Sequence, residues 1–331
     1  MWKKVKLNFS NKIVLPIILY FDDFEINNSL GSHRNIHKLG ALYFTIACLP
    51  FEYSSMLENI FLSQLHNSID HKNIGNKKIF FNVIYQINEL KKDGLILNID
   101  NKERTIYFAL GAIIGDNLGI NNITDFSTSF NSTHWCRICL SDKVEIQRQI
   151  KEHPEMLRTL ENYRVDSTTC SRGVKAKCVL NEISSFYVVD NASPDIKHDI
   201  FEGVCRYELA KIFLILIIDE KLFFLETLNS RIEHFDYGVG KNLPPSITCN
   251  IFTTQTLIIS SSEMSLLVAN LGLLIGDLIP LDNKVWELYI SLREIINITL
   301  SPSFNISTIE LLKILISEHH LLYLELFSEP L

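Results

Sequence analysis

The sequence predicts an α/β protein, in which a mixed β-sheet core over residues 1–120 precedes a mostly helical region over 121–331. Three observations predict it. Apolar runs rich in Ile, Val and Leu at Lys12–Phe21 and Thr105–Gly115 have the length and β-branched content of buried strands. Between them, Asn76–Asp93 places Phe80, Val83, Ile84, Ile87 and Leu90 at three- and four-residue spacing before Gly94, which is the pattern of an amphipathic helix with a glycine stop. Beyond Thr133 the helical period dominates.

Taken in order, the first strand is closed by Asp22, Asp23 and Glu25 and then by Asn-Ser-Leu-Gly, a turn with glycine. Lys38–Leu49 reads as a second strand, and Met56–Leu65 as a third in which strand and helix periods compete. The helix over Asn76–Asp93 comes next, then a short strand at Leu95–Ile99 and the long buried strand that ends at Asp116. Loop chemistry holds from Asn117 to Thr133. Helices are then expected at Val144–Leu160, Ile200–Leu216, Met264–Leu274, Val285–Leu300 and Ile309–Phe327, with breaks at Pro244, Pro245, Pro280 and Pro302. Strand, strand, strand, helix, strand is the RNase H order, in which the first and last main strands lie side by side. That order would bring Asp22 and Asp116 together.

At 331 residues and 47 % hydrophobic, the chain has enough apolar material for one large or two ordinary domains. Seven cysteines with one close pair do not resemble the disulfide framework of a small secreted module, which points to a reducing compartment. Lys3, Lys4, Lys6 and Lys12 before Ile13–Phe21 mimic a signal peptide, but acids follow instead of a small-residue cleavage site. The apolar runs Ile212–Ile218 and Leu266–Leu281 are too short to span a bilayer, and no membrane association is expected. The sequon at Asn131 carries little weight in an Asn-rich chain. A net charge of −7 and a pI near 5.8 argue against a broad nucleic-acid grip, which needs Lys and Arg against phosphates.

Two strand-end aspartates could supply half of a site for Mg²⁺, a hard ion that prefers carboxylate oxygens. The plain alternative is that acids at strand ends are ordinary turn residues. Cys136 and Cys139, in CRIC, have the spacing that lets two thiolates meet one Zn²⁺. Zinc needs four ligands, and Cys170, Cys178, His134, His153 and His198 are the further candidates; two buried free thiols are the other reading. His198, between Asp195 and Asp199, reads as a metal ligand, an acid/base group or a cap at the start of a helix.

The blocks YFDDFEINNSLGSHRNIHKLG, GDNLG, CRICL, DIKHDIFEGVCRYELAKI, LNSRIEHFDYG and VWELYISLREI occur in one order along nearly the whole chain. Together they resemble the catalytic core of a DNA transposase of the CACTA (En/Spm) type and the transposase-derived proteins related to it. Ser29 stands where a Pro is usual, Asp125 where a Gly usually precedes Phe126, and Lys197 where a Met precedes His198. The resemblance implies an RNase H-like fold and DDE chemistry, meaning Mg²⁺- or Mn²⁺-dependent hydrolysis at transposon ends followed by strand transfer. It implies Asp22 as the first acid, with Asp23 as the alternative, and Asp116 as the second; DNA is the implied partner and the nucleus the implied location.

In this group, and in the related V(D)J recombinase, such a CxxC is completed by a His pair ahead of a catalytic Glu. Neither occurs in matching form before Leu331. The expectation is therefore a fragment lacking the final catalytic helix, inactive alone, with an incomplete zinc site and an uncovered apolar strip that promotes self-association. The alternative is a non-catalytic domesticated protein that uses its helical half as an interaction module.

Overall fold

The computed structural model describes residues 12–25, 38–54, 56–238 and 242–327. The expected glycine turn with Ser29, and Lys3, Lys4 and Lys6, lie outside the described residues. Contacts divide the chain into two compact units, Met1–Lys143 with Pro154–Asp195, and Val144–His153 with Ile196–Leu331.

The first unit holds a mixed five-stranded sheet of order β3-β2-β1-β5-β4. Strand β1 is Ile13–Glu25, β2 Lys38–Ile46, β3 Phe61–Asn67, β4 Leu95–Ile99 and β5 Lys102–Gly115. β1 runs antiparallel to β2 and parallel to β5, while β2–β3 and β4–β5 are antiparallel. β1 does not end at Phe21 as its apolar run suggests, because β2 pairs it as far as Glu25↔Lys38; Asp22 and Asp23 are thus strand residues. β4 and β5 turn on Asp100 and Asn101, whose φ values of 54° and 59° suit a tight hairpin of right-handed twist.

Helix α1 (Phe81–Lys92) buries Val83, Ile84 and Ile87 against Ile17, Leu19, Phe21, Leu110 and Ile113 of the sheet. The helix expected over Asn76–Asp93 is broken at Phe80, which leaves the helical conformation (φ −93°, ψ 4°) and is fully buried. Two other stretches differ from expectation. Asn117–Ile123 is a helix, α2, and not loop, because Asp116 caps it. The helix expected over Val144–Leu160 is confined to Lys143–Arg148; Pro154 interrupts it, and α3 (Leu160–Thr169) starts afresh from a capping box formed by Thr159 and Asn162.

Strand β5 carries one irregularity with a clear partner. The β1–β5 register slips between Ile17 and Ile18 at Gly111, and the Gly111 carbonyl accepts a hydrogen bond from Asn191 Nδ2 at 2.7 Å. The slip keeps Ile17, Leu19 and Phe21 in line with Leu110 and Ile113 on the buried face.

The regular structure of the second unit is all helix among its described residues. Helix α4 (Cys205–Phe213) is flanked by wider π-turns at Lys197–Val204 and Leu214–Asp219, and packs with α5 (Leu225–His234), α6 (Ser261–Ile275) and α7 (Lys284–Thr299). Tyr289 ties α7 to α6 by donating to the Val268 carbonyl and accepting from the Gly272 amide, each at 2.9 Å. Helix α8 (Ile306–Leu326) is held to α4 by His319 Nε2 against Glu208 Oε2 at 3.1 Å, both buried.

Beneath β1 a directional chain of polar groups crosses the first unit. Asn76 Nδ2 donates to the Asn122 carbonyl and to Asp125 Oδ1, so its Oδ1, 2.6 Å from His71 Nδ1, must accept. His71 Nε2 meets His66 Nε2 at 2.9 Å, and His66 Nδ1 faces the Gln64 amide at 3.4 Å. Burial, and then His71, push His66 down from 6.5 to about 4, against opposing pulls from Asp23 and Asp70. Between those two values the unfolded chain binds more protons at His66 than the folded one, so the His66 contribution to stability should fall as pH drops from about 6.5 to about 4 and stay constant below. Urea unfolding midpoints measured across that window should show the fall, and a His66→Gln variant should show less of it.

Candidate functional site

Parallel pairing aligns Phe21 of β1 with Gly115 of β5, so the next residue on each strand is an aspartate. Side chains alternate along a strand. Ile17, Leu19 and Phe21 are buried on the α1 face, whereas Tyr20 is 41 % exposed on the other, and Asp22 goes with Tyr20 to that side. The same acids bear on Tyr20, whose hydroxyl is pushed up to about 12 by burial, then by Asp22, Asp195 and Asp116 in that order. Three carboxylates from β1, from the start of α2 and from the end of the first unit therefore bear on one phenol.

Gly115 makes the approach possible. Its φ is 156°, and a Cβ there would lie 2.3 Å from the Phe21 carbonyl oxygen. Asp116 Oδ1 accepts the Gly119 amide as the N-cap of α2, which occupies one of its oxygens. Asp23 goes elsewhere: it alternates to the opposite face, where Ser68 Oγ donates to its Oδ1 at 2.7 Å.

Asp125 follows α2 in a conformation that glycine adopts more readily than other residues. Its φ is 61°, a left-handed conformation that Asp tolerates better than most side chains. Its carboxylate accepts from Asn76 Nδ2, and burial raises its pKa.

The CRIC segment lies in the same unit. Cys136 Sγ accepts the amides of Ile138 (3.3 Å) and Cys139 (3.4 Å), a turn that sets both sulfurs to one side. The Cys139 thiol donates to Cys136, and this bond, with the two amides and Arg137, holds Cys136 below the ordinary thiol range in spite of burial. The same bond holds Cys139 above it. Arg158 clamps the turn from behind: its Nη2 donates to the carbonyls of Cys136, Cys139 and Arg172, while its Nη1 pairs with Asp166 Oδ2 at 2.7 Å. Both side chains of that pair are fully buried, and Asp166 also accepts from Arg172 and Ser171.

The other zinc candidates in this unit have separate places. Cys170 donates to the Lys175 carbonyl, and Cys178 sits in the core, where burial raises its thiol to about 12. His198 belongs to the second unit, on the π-turn Lys197–Val204, with Nε2 3.7 Å from Glu202 Oε2. Among the described residues, no three His, Cys, Asp or Glu side chains converge closely enough to hold an ion. No helix of the described residues is long and apolar enough to cross a membrane.

The structure thus brings Asp22 and Asp116 into one neighbourhood and Cys136 and Cys139 into another, and separates Asp23 from the first pair. Sequence reasoning missed Tyr20, Asp195 and Arg137. Asp195 and Arg137 stand inside the blocks that carry the resemblance, but nothing in their spacing tells of contacts with residues so distant in the chain. No model of a known protein family matches the chain, and no curated protein sequence matches it.

This geometry leads to two expected outcomes. Asp166→Ala would leave the Arg158 guanidinium buried without its carboxylate and should cost about 3–5 kcal/mol in chemical denaturation. With iodoacetamide at neutral pH, Cys136 should react faster than the exposed Cys170 and Cys249. Cys139→Ala, which removes the thiol donor, should slow Cys136 by about tenfold in a mass-resolved alkylation time course.

Proposed function

We propose that Asp22 and Asp116 form the acid site of a transposase-derived core of the DDE type, built on an RNase H-like sheet. The observation that carries this reading is the parallel β1–β5 pair, which sets an aspartate on each strand immediately after the matched Phe21 and Gly115. The antiparallel β2 and β3 beyond β1 and the preceding helix α1 support it, as does the block resemblance along the chain.

The carboxylates that bear on Tyr20 offer oxygen donors, which suits Mg²⁺ or Mn²⁺ and not a thiophilic metal. Asp22 and Asp116 would hold the ion, with Asp195 nearby. An ion there would activate a water or a 3′-hydroxyl and neutralise charge on a phosphate. On this reading the partner is DNA at transposon ends and the place of action is the nucleus. Cys136 and Cys139 would be a zinc half-site of the same inheritance.

A non-catalytic interaction protein is the second reading, favoured by α8, on which Ile309, Leu311, Ile314 and Leu321 are exposed. Two measurements separate the two readings. In a Mn²⁺ titration followed by electron paramagnetic resonance, Asp22→Asn and Asp116→Asn should each weaken binding by about tenfold or more, whereas Asp23→Asn should not. Binding indifferent to both substitutions would sink the acid-site assignment. In a Mg²⁺-dependent nicking assay on element-end DNA, this chain is expected to bind the ion without cutting. One Asp116 oxygen is held by the Gly119 amide, and the pair alone binds an ion weakly. Nicking abolished by both substitutions would instead make Asp195 the working third ligand.

A further inference from the structure

We propose that Arg137, inside the Cys136–Cys139 turn, is the positioning residue of the acid site, tying the first turn of α2 to the segment at Ser193 that lies beside β5. The inference rests on the acid-site reading of Asp22 and Asp116. Arg137 is only 8 % exposed, and its guanidinium spans three acceptors that flank the carboxylates. Nη1 donates to Asn117 Oδ1 at 2.7 Å and to Asn121 Oδ1 at 3.3 Å; Nη2 donates to the Ser193 carbonyl at 2.8 Å. Asn117 is the residue after Asp116, and Ser193 stands two before Asp195. One planar group therefore holds both the cap from which Asp116 projects and the segment that delivers Asp195.

The strut has a fixed base. The backbone on either side of Arg137 is set by the two amides on Cys136 Sγ and by Arg158, which donates to the carbonyls of Cys136 and Cys139. Arg158 is in turn locked to the buried Asp166. The far end is fixed as well: Asn121 Nδ2 donates to the Ser127 carbonyl at 2.8 Å, and the Ser193 amide donates to the Ile113 carbonyl of β5 at 3.2 Å. Rigid parts at both ends make the length and fork of the side chain the quantity that sets the spacing. A guanidinium can meet three acceptors in one plane, whereas an ammonium is a point donor on a flexible stem and cannot reach them together. The CRIC turn on this account serves the acid site with or without a metal on its sulfurs.

The test uses the whole chain, with Arg137→Lys and Arg137→Gln as variants and Asn117→Ala as a second route that removes an acceptor and leaves the arginine in place. Hydrogen exchange of the Gly119 amide, which reports the Asp116 cap, is read beside that of Ile84 and Ile87 in α1. Mn²⁺ affinity is read in parallel. The expected result is at least tenfold faster exchange at Gly119 with the α1 amides unchanged, and a loss of about tenfold in Mn²⁺ affinity that lysine does not rescue. Asn117→Ala should give part of both effects, and less than additive effects when combined with Arg137→Lys.

Unchanged Gly119 exchange, or a rise matched in α1, overturns the proposal, since the arginine would then be a general stabiliser. If Gly119 responds but a Mn²⁺ site dependent on Asp22 and Asp116 responds to none of the variants, the positioning role is likewise overturned. A wild-type chain with no Asp22-dependent Mn²⁺ binding overturns the acid-site reading itself. The Gly119 exchange then still decides whether Arg137 sets the Asp116 cap.

Discussion

The first unit depends on one close approach, where the backbone of β1 at Phe21 meets that of β5 at Gly115. Only a residue without a side chain fits there, since a Cβ would press into the Phe21 carbonyl at 2.3 Å. That contact sets the parallel register, and the register decides that an aspartate comes next on each strand. It also places the Phe21 ring against the underside of α2, where a Cβ on Gly119 would lie 3.0 Å from it, and against His66 and His71 at centroid distances of 6.0 and 5.9 Å. The acid pair above and the histidine pair below share one aromatic ring between them.

Away from the sheet, order comes from buried charge. Arg158 and Asp166 have no exposed side-chain surface, and taking two ions out of water is costly unless further donors and acceptors compensate them. Here Arg158 gives its other terminal nitrogen to three carbonyls, and Asp166 accepts from three side chains. The pair specifies a loop that has little regular structure of its own. Beside this clamp, the CRIC turn is held by its own two amide-to-sulfur bonds and by backbone hydrogen bonds from Arg158 to Ile138 and from Leu140 to Met156.

The strands are legible in the sequence because their apolar runs are long and β-branched, and α1 because its spacing repeats over three turns. Limits set by partners are not legible there. β1 outruns its apolar stretch because β2 pairs with Asp22 through Glu25, a fact of the neighbour and not of the segment. Asp116 stands out as a carboxylate, which hides its second role as the cap that begins α2 in a stretch of loop-like composition. Asp22 and Asp116 are legible as a pair through strand order, whereas Asp195 and Arg137 reach the same region only through the packing of the finished unit. The left-handed φ of Asp125 is a milder case: an aspartate is visible in the sequence, and the backbone geometry it must accommodate is not.

The order of the sheet also bears on how the chain reaches its native state. β4 and β5 are neighbours in sequence joined by a two-residue turn, and hairpins of that kind close in microseconds. β1 must instead find β5 across the whole of β2, β3 and α1, and pairing of such distant segments is slow because the loop must close before any contact offsets its entropy. The hairpin can therefore exist while the Phe21–Gly115 contact does not. During that interval Asp22 and Asp116 are strangers, and the apolar edge of β5 that β1 will cover is open to any other strand, including the same strand of another chain emerging nearby.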